Sequence, residues 1–127
     1  MNVLDASAVI AFVDREEGAQ EVARYLDNAL ISTVNLAEIL QKADHRGMSA
    51  SSVQTLLEKL EIGVVPFDSD MALRTAELWN VTHHKGLSLA DRACLALTEA
   101  IGGVAVTTDT GWSGIELDGA AIHVVKR

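Results

Sequence analysis

The chain has 127 residues, 10 Lys and Arg against 18 Asp and Glu (formal net charge −8), 49% hydrophobic residues and one proline, Pro66. That length suits one domain, residues 1–127, with a substantial core, and the acidity argues against tight non-specific binding of nucleic acid through a basic surface. The lone cysteine, Cys94, excludes an intrachain disulfide, and no uncharged apolar run approaches the roughly 18 residues of a membrane span.

The N-terminus has no basic region, and its apolar stretch Ala6 to Val13 is bracketed by Asp5 and Asp14, unlike a signal peptide. A cytoplasmic, soluble protein is expected. Met1 to Leu4 is a short apolar strand, followed by helical patterns over Ala8 to Arg15 and, after Gly18, Ala19 to Asn28. Leu30 to Ser32 is a weaker strand. Val34 to Arg46, closed by Gly47, reads as a helix, and so does Ser51 to Leu60, where Ser51 and Gln54 have capping-box spacing. Ile62 to Phe67 is the next strand. One long helix is expected from Ser69 to Lys85, ending in His83, His84, Lys85 and Gly86. Leu89 to Ile101 is a helix stopped by Gly102 and Gly103, and the strands Val104 to Thr107 and Ala121 to Val125 complete the chain.

This alternation of strand and helix, with continuous rather than alternating apolar strands, argues for an α/β fold whose parallel sheet is covered on both faces. In such a sheet the strand C-termini and neighbouring helix N-termini line one crevice. Four carboxylates stand at points of that kind: Asp5 in VLDAS, Glu38 in STVNLAEIL, Asp91 in SLADRACLAL and Asp109 in VAVTTDTGW. Converged carboxylates repel, and a divalent metal relieves the repulsion, so a metal-dependent phosphoryl-transfer site is the first hypothesis.

Each acid also has a local explanation. Asp5 suits an N-cap. Glu38 stands four residues before Lys42, the favourable order for a solvated ion pair. Asp91 follows Ser88 by three residues, the spacing of a capping box. Asp109 suits a turn. A haloacid-dehalogenase-like phosphatase would need a second Asp where Ser7 stands, and a phosphoacceptor receiver would need adjacent acids in its first loop; neither pattern is present.

The segments VLDASAVIAF, STVNLAEIL, GLSLADRACLALTEAIGG and VAVTTDTGW, in that order and spacing, resemble the PIN-domain ribonucleases, in particular the VapC-like toxins of toxin–antitoxin pairs. The resemblance covers essentially the whole chain. It implies a three-layer α/β/α domain with a central parallel sheet of about five strands and places the family's acidic positions on Asp5, Glu38, Asp91 and Asp109. Ser7 and Thr107 match its hydroxyl positions. The implied activity is metal-dependent endoribonuclease, with an RNA substrate, a cognate VapB-like antitoxin and a homodimeric state. The alternative is a catalytically silent PIN-fold module that binds RNA or a protein without cutting.

Hard cations prefer oxygen ligands, and Mg²⁺ takes only one or two carboxylates directly. Asp5 and Asp91 are therefore assigned to Mg²⁺, with Mn²⁺ as substitute, Asp109 completes the site, and Glu38 orients a water or holds a second ion. Ser7 and Thr107 fix the carboxylates. Trp112 and Arg92 are weaker candidates for contact with a base or phosphate, Cys94 is expected in the core, and His83 and His84 are read as a helix C-terminus.

Overall fold

The short apolar runs become the strands of a single sheet, seen in a computed structural model that describes residues 1–126. Strands β1 (Asn2–Leu4), β2 (Ala29–Ser32), β3 (Gly63–Val65), β4 (Val104–Thr107) and β5 (Ala121–Val124) lie in the order β3-β2-β1-β4-β5. Every neighbouring pair is parallel, with Val3 of β1 opposite Leu30 on one side and Ala105 on the other. Helices cover both faces, so consecutive strand residues enter opposite cores. Leu4, Ile31 and Val106 pack with Ala8 and Val9 of α1 (Ala6–Val13), Val22 of α2 (Ala19–Ala23), Ile39 of α3 (Thr33–His45) and Leu57 of α4 (Ala50–Lys59). Val3, Leu30 and Ala105 pack on the other face with Met71 of α5 (Ser69–Glu77) and Leu95 of α7 (Leu89–Ile101). Two-sided burial is why the strands read as continuous apolar runs.

The chain builds outward from β1 through β2 to β3 and then returns to place β4 on the other side of β1. That reversal opens a crevice at the C-terminal ends of β1 and β4, the customary ligand position of open α/β sheets. Gly102 ends α7 with φ 65°, and a Cβ at Gly103 would lie 2.3 Å from the Met1 carbonyl, so the entry to β4 admits no side chain there.

Three helix expectations are corrected. The pattern over Ser69 to Lys85 is not one helix: α5 ends at Glu77, a short α6 spans Trp79–Thr82, and His83–Lys85 is a 3₁₀ turn closed by Gly86 at φ 72°. The Thr82 hydroxyl donates to the Leu78 carbonyl at 2.7 Å and the His83 ring meets the Trp79 carbonyl at 2.7 Å, so side chains compete for acceptors that a continuous helix uses. The cap of α4 is Ser49, whose Oγ accepts from Ser52 N at 3.1 Å, and not Ser51 with Gln54. The helix from Ala19 is shorter than expected, its last residues winding into i to i−3 hydrogen bonds before Asn28 turns left-handed at φ 55°.

One ion pair ties α5 to α7. Arg74 donates to Glu99 through Nε at 2.6 Å and Nη2 at 3.0 Å, and Asp118 N adds a third donor at 2.8 Å. The Glu99 side chain is 8% exposed and that of Arg74 40%. Arg74→Met should lower stability by about 1–2 kcal/mol in urea titration, since a largely buried carboxylate keeps one donor while solvent still reaches the pair.

Candidate active site

Asp5 ends β1 and begins α1. Its backbone N–H continues the ladder to the Val106 carbonyl at 2.9 Å, and its backbone stands at the N-cap position, yet its side chain caps nothing. Instead the carboxylate is buried, with Oδ2 accepting from Ser7 Oγ at 2.6 Å and from Thr107 Oγ1 at 2.9 Å. The two hydroxyls are themselves oriented: Ser7 Oγ accepts from Thr108 N at 3.1 Å and Thr107 Oγ1 from Asp109 N at 3.1 Å. Backbone amides thus occupy the acceptor side of each hydroxyl and leave its proton for Asp5.

Glu38 and Asp91 come from two different helices. Ser32 ends β2 and caps α3, its Oγ accepting from Val34 N at 3.2 Å, which places Glu38 in the second turn. Glu38 lies 3.8 Å from Lys42 through Oε2, so the expected ion pair exists, while Oε1 accepts from Asn35 Nδ2 at 3.4 Å. Asp91 sits in the first turn of α7 within a complete capping box: Ser88 Oγ accepts from Asp91 N at 3.1 Å, and Asp91 Oδ2 accepts from Ser88 N at 2.9 Å. Asn35 also donates to the Ala90 carbonyl at 3.1 Å, which holds α3 against the start of α7. Sequence reasoning missed Asn35. Its signal was a polar residue on the buried stripe Asn35, Ile39, Ala43.

Burial first, with the charges of Asp91 and Glu38, raises the Asp5 carboxyl from its ordinary value to about 6, against the lowering hydrogen bonds from Ser7 and Thr107. Asp5, Glu38 and Asp91 therefore share one electrostatic environment. The same three charges, after burial, raise the thiol of Cys94, which is fully buried as expected. Asp109 is placed differently. Its backbone joins the site through Thr107, but its Oδ1 accepts from Gly111 N at 2.8 Å in the turn after β4.

Trp112 is a correction. The 3₁₀ turn Thr110–Trp112 rolls its ring into the core beneath the sheet, fully buried, so it has no face to offer a base. The exposed tryptophan is Trp79, flanked by the Arg92 guanidinium 5.0 Å from its ring centre and by the stacked His83 at 5.1 Å. Arg92 also donates to the Ser88 carbonyl at 3.3 Å, and His83 and His84 lie in the 3₁₀ turn that ends the α5–α6 segment.

The donor chemistry suits a hard divalent cation. Every candidate ligand is an oxygen, the buried Asp5 carries uncompensated repulsion, and among the described residues none donates to Asp5 Oδ1, Asp91 Oδ1 or Asp109 Oδ2. As the side chains stand, no three His, Cys, Asp or Glu residues among those described are grouped closely enough to hold an ion, and Asp91, Glu38 and Asp109 each have a local partner.

The sequence model of the PIN domain matches residues 3–116, a span that contains all four acids. The chain belongs to the PIN-domain family. Its fold is that family's five-stranded parallel sheet flanked by helices. Among solved structures it is similar to a toxin–antitoxin complex from Klebsiella pneumoniae, at 17% identity over 94% of this chain and 95% of that one, with a TM-score of 0.75. It is similar to a sarcin-ricin-loop-cleaving VapC toxin of Mycobacterium tuberculosis at 14% identity, 94% and 98% coverage and TM-score 0.75. A VapBC complex from Rickettsia felis bound to a promoter DNA fragment shares 18% identity over 98% of each chain, with TM-score 0.68. Among proteins of curated function none matches the sequence.

Proposed function

We propose that this PIN-domain protein is a Mg²⁺-dependent endoribonuclease, with Mn²⁺ able to substitute, and the toxin of a toxin–antitoxin pair. The observation that carries this reading is Asp5: a buried carboxylate at the central strand's end, held by two oriented hydroxyls and facing the charges of Asp91 and Glu38. Burying a carboxylate beside two others is costly unless the site recruits a cation. The toxins among its structural neighbours support the biological setting.

Asp5 and Asp91 would hold the metal, and Asp109 would complete its ligands. When bound, a divalent ion lowers the pKa of water, neutralises charge on the phosphate oxygens and stabilises the leaving alkoxide. Ser7 and Thr107 keep Asp5 from rotating away, and Glu38 orients the attacking water. Water attack breaks the bond from phosphorus to the ribose 3′ oxygen and leaves a 5′-phosphate. Purified protein should cut RNA with Mg²⁺ or Mn²⁺, stop in EDTA, and give 5′-phosphate ends. Cleavage that survives EDTA and yields 2′,3′-cyclic phosphate would refute the metal mechanism; bound but intact RNA would favour the silent binding module.

The protein works as a homodimer held by a VapB-like antitoxin. With a net charge of −8, a metal-free acidic cleft attracts an Arg or Lys from such a partner. Light scattering should show a dimer at micromolar concentration. A strict monomer that the neighbouring gene product does not inhibit would overturn this part. No helix among the described residues is long and apolar enough to cross a membrane.

A further inference from the structure

Asn35 occupies a position where a helix facing a core ordinarily carries an apolar side chain. It is fully buried on the stripe with Ile39 and Ala43. Its amide nitrogen donates to the Ala90 carbonyl at 3.1 Å and to Glu38 Oε1 at 3.4 Å, so both N–H groups are used. Its Oδ1 is buried and has no partner among the described residues. An orphan acceptor in such a place is destabilising. A leucine has the same γ-branched shape and no polar atom to leave unpaired, so an apolar contact alone does not account for an asparagine here.

Both acceptors belong to the site. Ala90 is the residue before Asp91, and Glu38 lies on the same helix as Asn35. We infer that Asn35 is a positioning residue that fixes Glu38 relative to Asp91 across the contact between α3 and α7. The inference rests on the ribonuclease reading above and deepens it. Glu38 is held at both ends, with Asn35 on Oε1 inside and Lys42 at 3.8 Å from Oε2 outside. The Lys42 side chain is half exposed and holds weakly. Without Asn35, Glu38 follows Lys42 into solvent, and the first turn of α7 loses the tie that sets Asp91 against α3.

The test uses the full chain carrying Asn35→Leu, alone and with Glu38→Gln. Three quantities are read well below the melting temperature: the Mn²⁺ dissociation constant by electron paramagnetic resonance, kcat and KM on RNA with Mn²⁺, and the melting temperature. Outer partners of metal ligands typically matter about 10–100-fold. Asn35→Leu should therefore lower kcat by about that factor, weaken Mn²⁺ binding about tenfold and leave KM within about twofold. Its melting temperature should be unchanged or higher. Because part of its effect runs through Glu38, the kcat losses of Asn35→Leu and Glu38→Gln should multiply incompletely.

Wild-type kcat and Mn²⁺ affinity in Asn35→Leu overturn the inference, and so do losses that multiply fully with those of Glu38→Gln. Should Asn35→Leu fail to fold, Asn35→Ala is carried through the same cycle with the same deciding outcomes. If the wild-type protein cuts no RNA in Mn²⁺, the ribonuclease reading fails by itself. The positioning role is then decided by Mn²⁺ affinity alone, supported by a tenfold loss and overturned by none.

Discussion

Asp5→Asn should abolish RNA cleavage and at the same time stabilise the metal-free protein at neutral pH. The two effects share one cause. In the folded chain, burial first and the charges of Asp91 and Glu38 second raise the Asp5 carboxyl from 3.8 to about 6. A raised carboxyl means that the folded state binds the proton more tightly than the unfolded chain. The stability this contributes is complete below about pH 3.8 and is lost as pH rises through about 6. A difference of about two units corresponds to roughly 2–3 kcal/mol above pH 7. Asparagine escapes that penalty. Its Oδ1 can still accept from both Ser7 and Thr107, while its amide takes the other position as a donor beside two carboxylates.

Urea titrations of wild type and Asp5→Asn across pH 4 to 7.5, without divalent metal, should therefore diverge, the variant gaining about 2–3 kcal/mol towards the alkaline end. Parallel curves would show that Asp5 is not the strained group. Mn²⁺ should reverse the order, stabilising wild type by binding the folded state and leaving the variant unmoved. On the proposed mechanism cleavage should fall by about 1,000-fold or more, because the loss of an anionic ligand would remove several kcal/mol of transition-state stabilisation.

What the sequence revealed of this molecule follows from which interactions are local. The sheet was legible because β1 and β4 are buried on both faces, so their residues are apolar regardless of the side they face. The start of α7 was legible because Ser88 and Asp91 satisfy each other within one turn, and the Glu38–Lys42 pair needs only one helical repeat. The break at Leu78 was hidden because the hydrophobic period runs on through it, while the side-chain bonds of Thr82 and His83 to the Leu78 and Trp79 carbonyls leave no mark in that period. Trp112 lies in a turn, where no period says which way a ring faces. Asn35 finds its acceptor 55 residues along the chain, and no local pattern signals that contact. The acids and the hydroxyls Ser7 and Thr107 were visible as positions, and the burial of Asp5 was not, because the contact with Thr107 spans 102 residues of chain.

Asp91→Asn separates helix capping from chemistry at the remaining central acid. In the folded chain Asp91 does two things at once, closing the capping box through Oδ2 and adding its charge to the field on Asp5. Asparagine retains an oxygen that can accept from Ser88 N, so the box survives, and the lost interaction with the helix dipole costs at most about 1 kcal/mol. Relief of repulsion with Asp5 offsets that loss, so the melting temperature without metal should be unchanged or higher. On the proposed mechanism cleavage should nonetheless fall about 1,000-fold, since Asp91→Asn would likewise remove an anionic ligand. The Asp5 carboxyl, followed by carbon-13 NMR, should titrate below its wild-type value of about 6, because one of the charges that raise it has gone. Ser88→Ala should do the opposite. It removes the hydroxyl that accepts from Asp91 N at 3.1 Å, lowers stability by about 1 kcal/mol and leaves cleavage within a few-fold. If Asp91→Asn keeps most of its cleavage rate while Ser88→Ala loses it, the carboxylate belongs to the cap, and the site must be rebuilt around Asp5, Glu38 and Asp109 without it.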